Sequence, residues 1–272
     1  MKSLFIWGSI FFLLSAPFAF AATETKTTTT LTYDVYAGGI HALDANLTIS
    51  KTATRYETTL QAATQGFLKK LANWSGSFSS KGLISNNIAS PTIHISASTW
   101  KNKTESKTFQ YNGHGKFISY KVKEDGKDTT PKDIDKSLAV GAMDNLSATL
   151  NLMMAMPKTK LCKGNTLVYD GDRTYRLIFD NTKSENLKKS GYNIYDGTAI
   201  SCSVEVKPDK GKWRKKPRGW LSIQEQGRQK GALPTIWFGQ LAQRPDIYVP
   251  VKILVKTDYG ALFMHLTSAK TK

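Results

Sequence analysis

Cysteine, histidine, proline and acidic side chains are all scarce in this sequence of 272 residues: two Cys, four His, nine Pro and 21 Asp plus Glu. Each shortage excludes a class of chemistry. Cys162 and Cys202 lie 40 positions apart, so the pair of thiols two residues apart that marks a disulfide oxidoreductase is absent. The histidines, His41, His94, His114 and His265, show no spacing of two or four that sets two of them on one strand or helix face, and neither a metal site nor a cofactor is expected; His94 alternates with Ile93 and Ile95 and is expected to face solvent. There is no Gly-x-Ser-x-Gly elbow. The string Ser98-Thr99-Trp100-Lys101 matches Ser-x-x-Lys only inside a strand pattern, without the partner motifs of that nucleophile. No catalytic residue is assigned. The chain also lacks a Pro- or Gly-rich linker and a fixed-period repeat, which points to one domain. After the first twenty or so residues, no stretch is apolar enough to span a bilayer.

What is present begins with "MKSLFIWGSIFFLLSAPFAFAA": Lys2, an apolar run from Leu4 to Leu14, Pro17, and Ala19 and Ala21 flanking Phe20. This is a secretory signal pattern with cleavage between Ala21 and Ala22, and it predicts a periplasmic, soluble mature chain. Residues 22–30, "ATETKTTTT", read as a flexible lead-in to a single β-rich domain over 31–272. The 38 Lys and Arg against 21 acids give a net charge of +17. For an exported protein that favours anionic lipid or an acidic envelope polymer over nucleic acid as partner. Scattered lysines that only confer solubility are the plainer alternative. In an oxidising compartment Cys162 and Cys202 are expected to form a disulfide. Ile200, Cys202, Val204 and Val206 share one face of an alternating strand, which turns Cys202 inward.

Period-two alternation runs through most of the rest. Strands are expected from Leu31, near 42–50, 54–64, 73–80, 92–100, 105–112, 115–122, 165–170, 173–180, 192–206, 219–226, 235–240, 246–257 and 260–268. Pro250 requires an edge or a bulge in its strand. One segment breaks the pattern: Ile134, Leu138, Ala142, Leu146 and Leu150 are four apart, predicting a helix over about 133–156, capped by Asp133 or Asp135 and ended by Pro157. Met153, Met154 and Met156 read as flexible core filler. The fold expected is mainly β: one large antiparallel sheet of about a dozen strands, curled into an open barrel or spiral around or against that one long helix.

Several segments in this order resemble domain-of-unknown-function family 3108, a group of exported bacterial envelope proteins: "YDVYAGGIHALDANLTI", "MDNLSATLNLMM", "CKGNTLVYDGDRTYRLIF", "YDGTAISCSVEV" and "IWFGQLAQRPDIYVPVKILVKTDYG". The likeness spans roughly Tyr33 to Leu266. It implies a periplasmic β-protein without an assigned reaction, similar in shape to lipoprotein-carrier and envelope-integrity proteins. The basic stretch "KPDKGKWRKKPRGW" departs from the family pattern. There Lys207, Lys210, Lys212, Arg214, Lys215, Lys216 and Arg218 surround Trp213, forming an expected anionic-surface loop that Pro208 and Pro217 keep irregular. A solvated hairpin tip is the competing reading.

Two functions are in contention. The first is a non-catalytic envelope protein binding a lipid, lipoprotein or envelope polymer, or scaffolding a protein partner, with peripheral membrane contact at most. Trp74, Phe78, Trp100, Trp220, Trp237 and Phe238 are then available to line an apolar groove. The alternative is an envelope-acting hydrolase with paired carboxylates, for which Asp170, Asp172 and Glu57 are the available acids. Asp170-Gly171 itself reads as a hairpin turn.

Overall fold

Four consecutive threonines start the first strand. β1 (Thr27–Ala37) is flanked on both sides, by β2 (Ile40–Lys51) and by the last strand β14 (Gly260–Thr271), so half of the expected lead-in is ordered sheet. β-Branched residues held between two neighbours satisfy their backbone groups and pack well on a pleated surface. The structure is a computed structural model that describes residues 24–216, 220–258 and 260–272; the expected signal segment 1–21, the Ala21–Ala22 cleavage position and Arg218 lie outside them.

From β2 the chain meanders through β3 (Arg55–Thr64), β4 (Trp74–Ser85), β5 (Ile88–Trp100), β6 (Lys103–Tyr111), β7 (Phe117–Glu124) and a short β8 (Lys127–Asp128). It crosses to the other half through β9 (Gly164–Tyr169), β10 (Arg173–Leu187), β11 (Gly197–Gly211), β12 (Thr235–Leu241) and β13 (Arg244–Thr257), and β13 pairs with β14. The result is one 14-stranded antiparallel sheet in the order β8-β7-β6-β5-β4-β3-β2-β1-β14-β13-β12-β11-β10-β9, with β8 and β9 as its edges. It curls without closing. Phe109, Tyr120 and Phe117 of one half meet Tyr169 of the other, with edge-to-face contacts of Tyr169 to Phe109 and Phe117 at 6.2 and 5.2 Å. The free edge of β9 is covered by the segment before the central helix, through Met143 N–H to Leu167 O and Tyr169 N–H to Met143 O. An edge covered this way is no template for further strands.

The single helix expected over 133–156 is not what forms. A 3-10 turn at Lys136–Ala139 is followed by a break at Gly141, whose φ of 72° suits glycine, and then by α2 (Asn145–Thr159). The four-residue spacing of Ile134, Leu138 and Ala142 arises because all three pack on the Phe109–Tyr169 cluster, not because they share a helix. Asp144 caps α2, accepting from Ser147 N–H at 2.9 Å, while Asp135 caps only the 3-10 turn. Pro157 sits inside the helix, and the last turn closes at Lys160 with left-handed backbone. The three methionines are buried against the sheet, as core filler should be.

Two further helices occupy connections. α1 (Gly66–Leu71) joins β3 to β4. α3 (Trp220–Gln229) replaces the strand expected at 219–226. The cause is local. β11 pairs with β12 only over Ala199–Ser203, and at Val206 the side chain of buried Gln224 takes the place of a strand, accepting from Val206 N–H at 2.7 Å and donating to its carbonyl at 3.1 Å. Pro250 lies at a bulge, as its missing N–H demands, although β13 is in mid-sheet. The bulge changes the alternation, so Pro250 and Ile253 both face the interior. Arg244 of β13, 1% exposed, donates to Asp246 at 2.8 and 3.1 Å and to Thr29 at 2.7 Å, which fastens β13 to β1.

Candidate functional site

The concave face of the sheet and one flank of α2 leave a space between them. Leu146, Leu150 and Met153 of α2 face Leu47, Ile49 and Leu60 across a hollow of about 210 Å³ that is almost wholly apolar. Past Ile253 a second hollow of about 400 Å³ opens, walled by Tyr175, Leu177, Val204, Val206 and Trp220. Asn145, Thr149 and Ile253 line both, so the two adjoin as a trough along α2 with Ile253 between them. Its size lies in the range of sites that bury a small ligand, roughly 300–1,000 Å³. Two polar atoms on the wall have no partner among the described residues: the hydroxyl of buried Thr58 and the indole N–H of Trp220. A buried donor without an acceptor is costly, so both stand ready for a polar atom of a guest.

The mouth is built by the tight turn between β9 and β10. Asp170 accepts from the backbone N–H of Arg173 and pairs with its guanidinium at 2.8 Å, and Gly171 adopts φ of 101°. Asp172 pairs with Lys107 of β6 at 3.1 Å, and the hydroxyl of Tyr169 donates to Gly171 O at 2.6 Å. The turn expected from Asp-Gly is therefore present, and it also clasps the two ends of the sheet. Arg173 then lies over the ring of Trp213 at 4.3 Å, while Tyr175 meets Trp213 edge-on at 6.5 Å. Trp213 is thus a half-buried wall of the mouth, not a free tip. The basic stretch is more regular than expected, because β11 runs through Pro208 to Gly211. Lys207, Lys210, Lys212, Arg214, Lys215 and Lys216 are exposed along the stretch that carries Trp213, and none of them is in an ion pair among the described residues.

Of the aromatic residues expected to line a groove, Trp220 does so. Phe78 lines a smaller hollow of about 180 Å³ beside Asp144. Phe238 is core, edge-on to Phe179 at 6.3 Å, and Trp237 bonds Glu185 with Lys252 over its ring. Trp74 and Trp100 face each other across β4 and β5 at one end of the sheet.

A buried polar network beside the trough was not read from the sequence. Asp144 accepts from Ser80 at 2.5 Å and from Ser147 at 2.6 and 2.9 Å, Tyr56 shares a hydrogen bond with Ser147 at 2.6 Å, and His94 Nδ1 lies 2.8 Å from Ser80 and 3.4 Å from Asp144. His94 is buried, where its alternation with Ile93 and Ile95 suggested solvent. The residue types suggest a catalytic triad, but the geometry does not. Ser80 and Asp144 approach the same imidazole nitrogen, so no proton can pass from serine through the ring to the acid. Burial holds His94 below its ordinary value, with the Asp144 charge opposing, and the ring is neutral. The network ties α2 to β3, β4 and β5. One signal was legible: an Asp three residues before a Ser at a helix start. The Ser80–His94 pairing depends on β4–β5 register and has no local signature.

The remaining candidates fall apart spatially. Asp170 and Asp172 are each engaged by a cation, and Glu57 points to the outer face of β3, away from buried Tyr56 and Thr58. Cys162 and Cys202 form the expected disulfide, with Cα atoms 5.9 Å apart, joining the start of β9 to β11. Asp34, His41 and Asp44 bring ligand atoms within 4.8 Å on the outer face, but His41 already has Asp44 at 2.8 Å. The largest hollow described, about 640 Å³, is an open saddle on the outer face lined by Asn46, Gln61, Ser77 and neighbours, and it encloses nothing.

No curated protein matches this chain in sequence. Among solved structures, a beta-barrel-like protein of domain of unknown function DUF1849 from Brucella abortus is similar, with a TM-score of 0.47 and 10% identity over 91% of this chain and 98% of that one. The expected family resemblance is confirmed over nearly the whole chain: residues 32–267 match the family described as "Protein of unknown function (DUF3108)", and the chain belongs to it.

Proposed function

We propose that this protein is a non-catalytic binding protein of the cell envelope, which takes the acyl chain of a lipid or lipoprotein into the trough along α2. The observation that carries the reading is the trough itself, two adjoining apolar hollows that share Asn145, Thr149 and Ile253, the larger lined by Arg173 and by Trp213 of the exposed basic stretch. An acyl chain gains by leaving water for such a wall, at about 0.8 kcal/mol per buried methylene. Arg173 lines the trough, the exposed Lys210 and Lys212 precede the lining residue Trp213 in sequence and offer an anionic head group counter-charge, and the Trp220 N–H, without a partner among the described residues, supplies a donor. The N-terminal signal pattern and the disulfide support a periplasmic location. Purified protein sprayed under native conditions in a mass spectrometer is expected to carry a co-purified lipid in sub-stoichiometric to equal amount. A mass equal to the bare chain, unchanged after incubation with an anionic lysophospholipid, contradicts the reading.

A further inference from the structure

β1, β3, β5, β7, β11 and β13 run in the same direction, so their C-terminal ends form one rim of the curled sheet. The trough mouth and the basic stretch after β11 lie on that rim. Elsewhere along it the chain does something unusual for a basic protein, because it exposes large apolar side chains together. Phe67 and Leu71 of α1 are 65% and 62% exposed, Ile40 after the β1–β2 turn is 62% exposed, and Trp100 at the β5–β6 turn is 53% exposed. They are neighbours. The N–H of Gln65, just before α1, bonds Ala42 O of β2 at 2.9 Å, and the N–H of Lys101 bonds Asn73 O just after α1 at 2.7 Å. α1 buries none of its residues, so the core gives no reason for its Phe and Leu.

We infer that this rim docks on an anionic bilayer. Lys69 and Lys70 of α1 and Lys101 and Lys103 of the β5–β6 turn are exposed among these apolar groups, and residues 65–74 and 100–103 contain no acid. Apolar side chains entering the acyl boundary with lysines at the phosphate level match the charge and polarity profile of such a surface, and a tryptophan suits the interface between the two. A protein partner large enough to cover the patch needs a complementary acidic face, whereas a bilayer needs only negative charge. Docking there sets the mouth and its cations against the membrane. The docking surface stands apart from the trough reading, because vesicle binding is measured without regard to any ligand inside.

The test is sedimentation of the full mature chain with vesicles of phosphatidylglycerol and phosphatidylcholine in equal parts, compared with pure phosphatidylcholine. The wild type is expected to bind the anionic vesicles and not the neutral ones. Phe67→Ser with Leu71→Ser weakens that binding roughly tenfold or more. Ile88→Ser, which removes a residue 57% exposed at the opposite end of the sheet, leaves it unchanged. Equal binding to both vesicle types overturns the inference, as does absence of binding, or a double variant that binds like wild type. Circular dichroism of the double variant confirms its fold, since neither residue is buried.

Discussion

His94 shows most plainly what a single residue contributes and what its sequence context conceals. Alternation placed it outward, yet register puts it beneath α2 against Ser80 and Asp144. Local patterning cannot distinguish a strand that is polar on its water side from one that carries a polar network inside, because both read as alternating. The consequence for stability has a definite sign. Burial lowers the folded pKa below the unfolded 6.5, so the unfolded chain takes up a proton first as the solution acidifies. Stability is full above pH 6.5 and declines as pH falls from there through the folded value. Unfolding by urea at a series of pH values is expected to show that decline in wild type and a shallower one in His94→Gln. Identical pH profiles would show that the cost of charging buried His94 is not felt. The cysteines, in contrast, were legible from compartment and parity alone, since neither argument needs the fold.

At the scale of elements, strands were the readable part and helices the misread part. Long strands such as β2, β10 and β14 declare themselves by period two, and Asp170-Gly171 declares its turn by the backbone conformation it requires. The helix failed because hydrophobic spacing of four arises equally from a 3-10 turn, a covered sheet edge and a helix that all face one cluster. α3 failed because the reason for it, the end of β11–β12 pairing before Val206, is tertiary. α2 is held by its first turn: Asp144 is 1% exposed, accepts from Ser80 and caps Ser147. Asp144→Ala removes the cap and the carboxylate that accepts from both Ser80 and Ser147, leaving those hydroxyls only His94 and Tyr56, which is expected to cost about 2 kcal/mol. Because α2 forms one wall of the trough, the same change should loosen ligand binding more than it perturbs sheet content by circular dichroism. A denaturation midpoint equal to that of wild type would remove α2's anchor from this description.

For the molecule as a whole, the open curled sheet and the family were readable from order and alternation, while the trough was not. Its walls come from β1, β2, β3, β10, β11, β12, β13, β14, α2 and α3, residues far apart in sequence, and no stretch of chain contains enough of them to signal a cavity. The aromatic residues named in advance as groove lining went mostly to the core or the rim, and only Trp220 reached the mouth. What the whole structure adds is a connection between the two features that the sequence showed separately, an excess of positive charge and a large apolar sheet face: the basic stretch reaches the larger apolar hollow through Trp213, which lines it beside Arg173. The claim that this space binds an acyl chain is tested most directly by titrating the protein with a fluorescent polyene fatty acid, in wild type and in Ile253→Trp, whose indole intrudes where the two hollows share their lining. Saturable binding at one site in wild type, weakened roughly tenfold or more in a folded Ile253→Trp, is the predicted result. Absence of saturable binding in wild type, or affinity unchanged by the blocking indole, would contradict it.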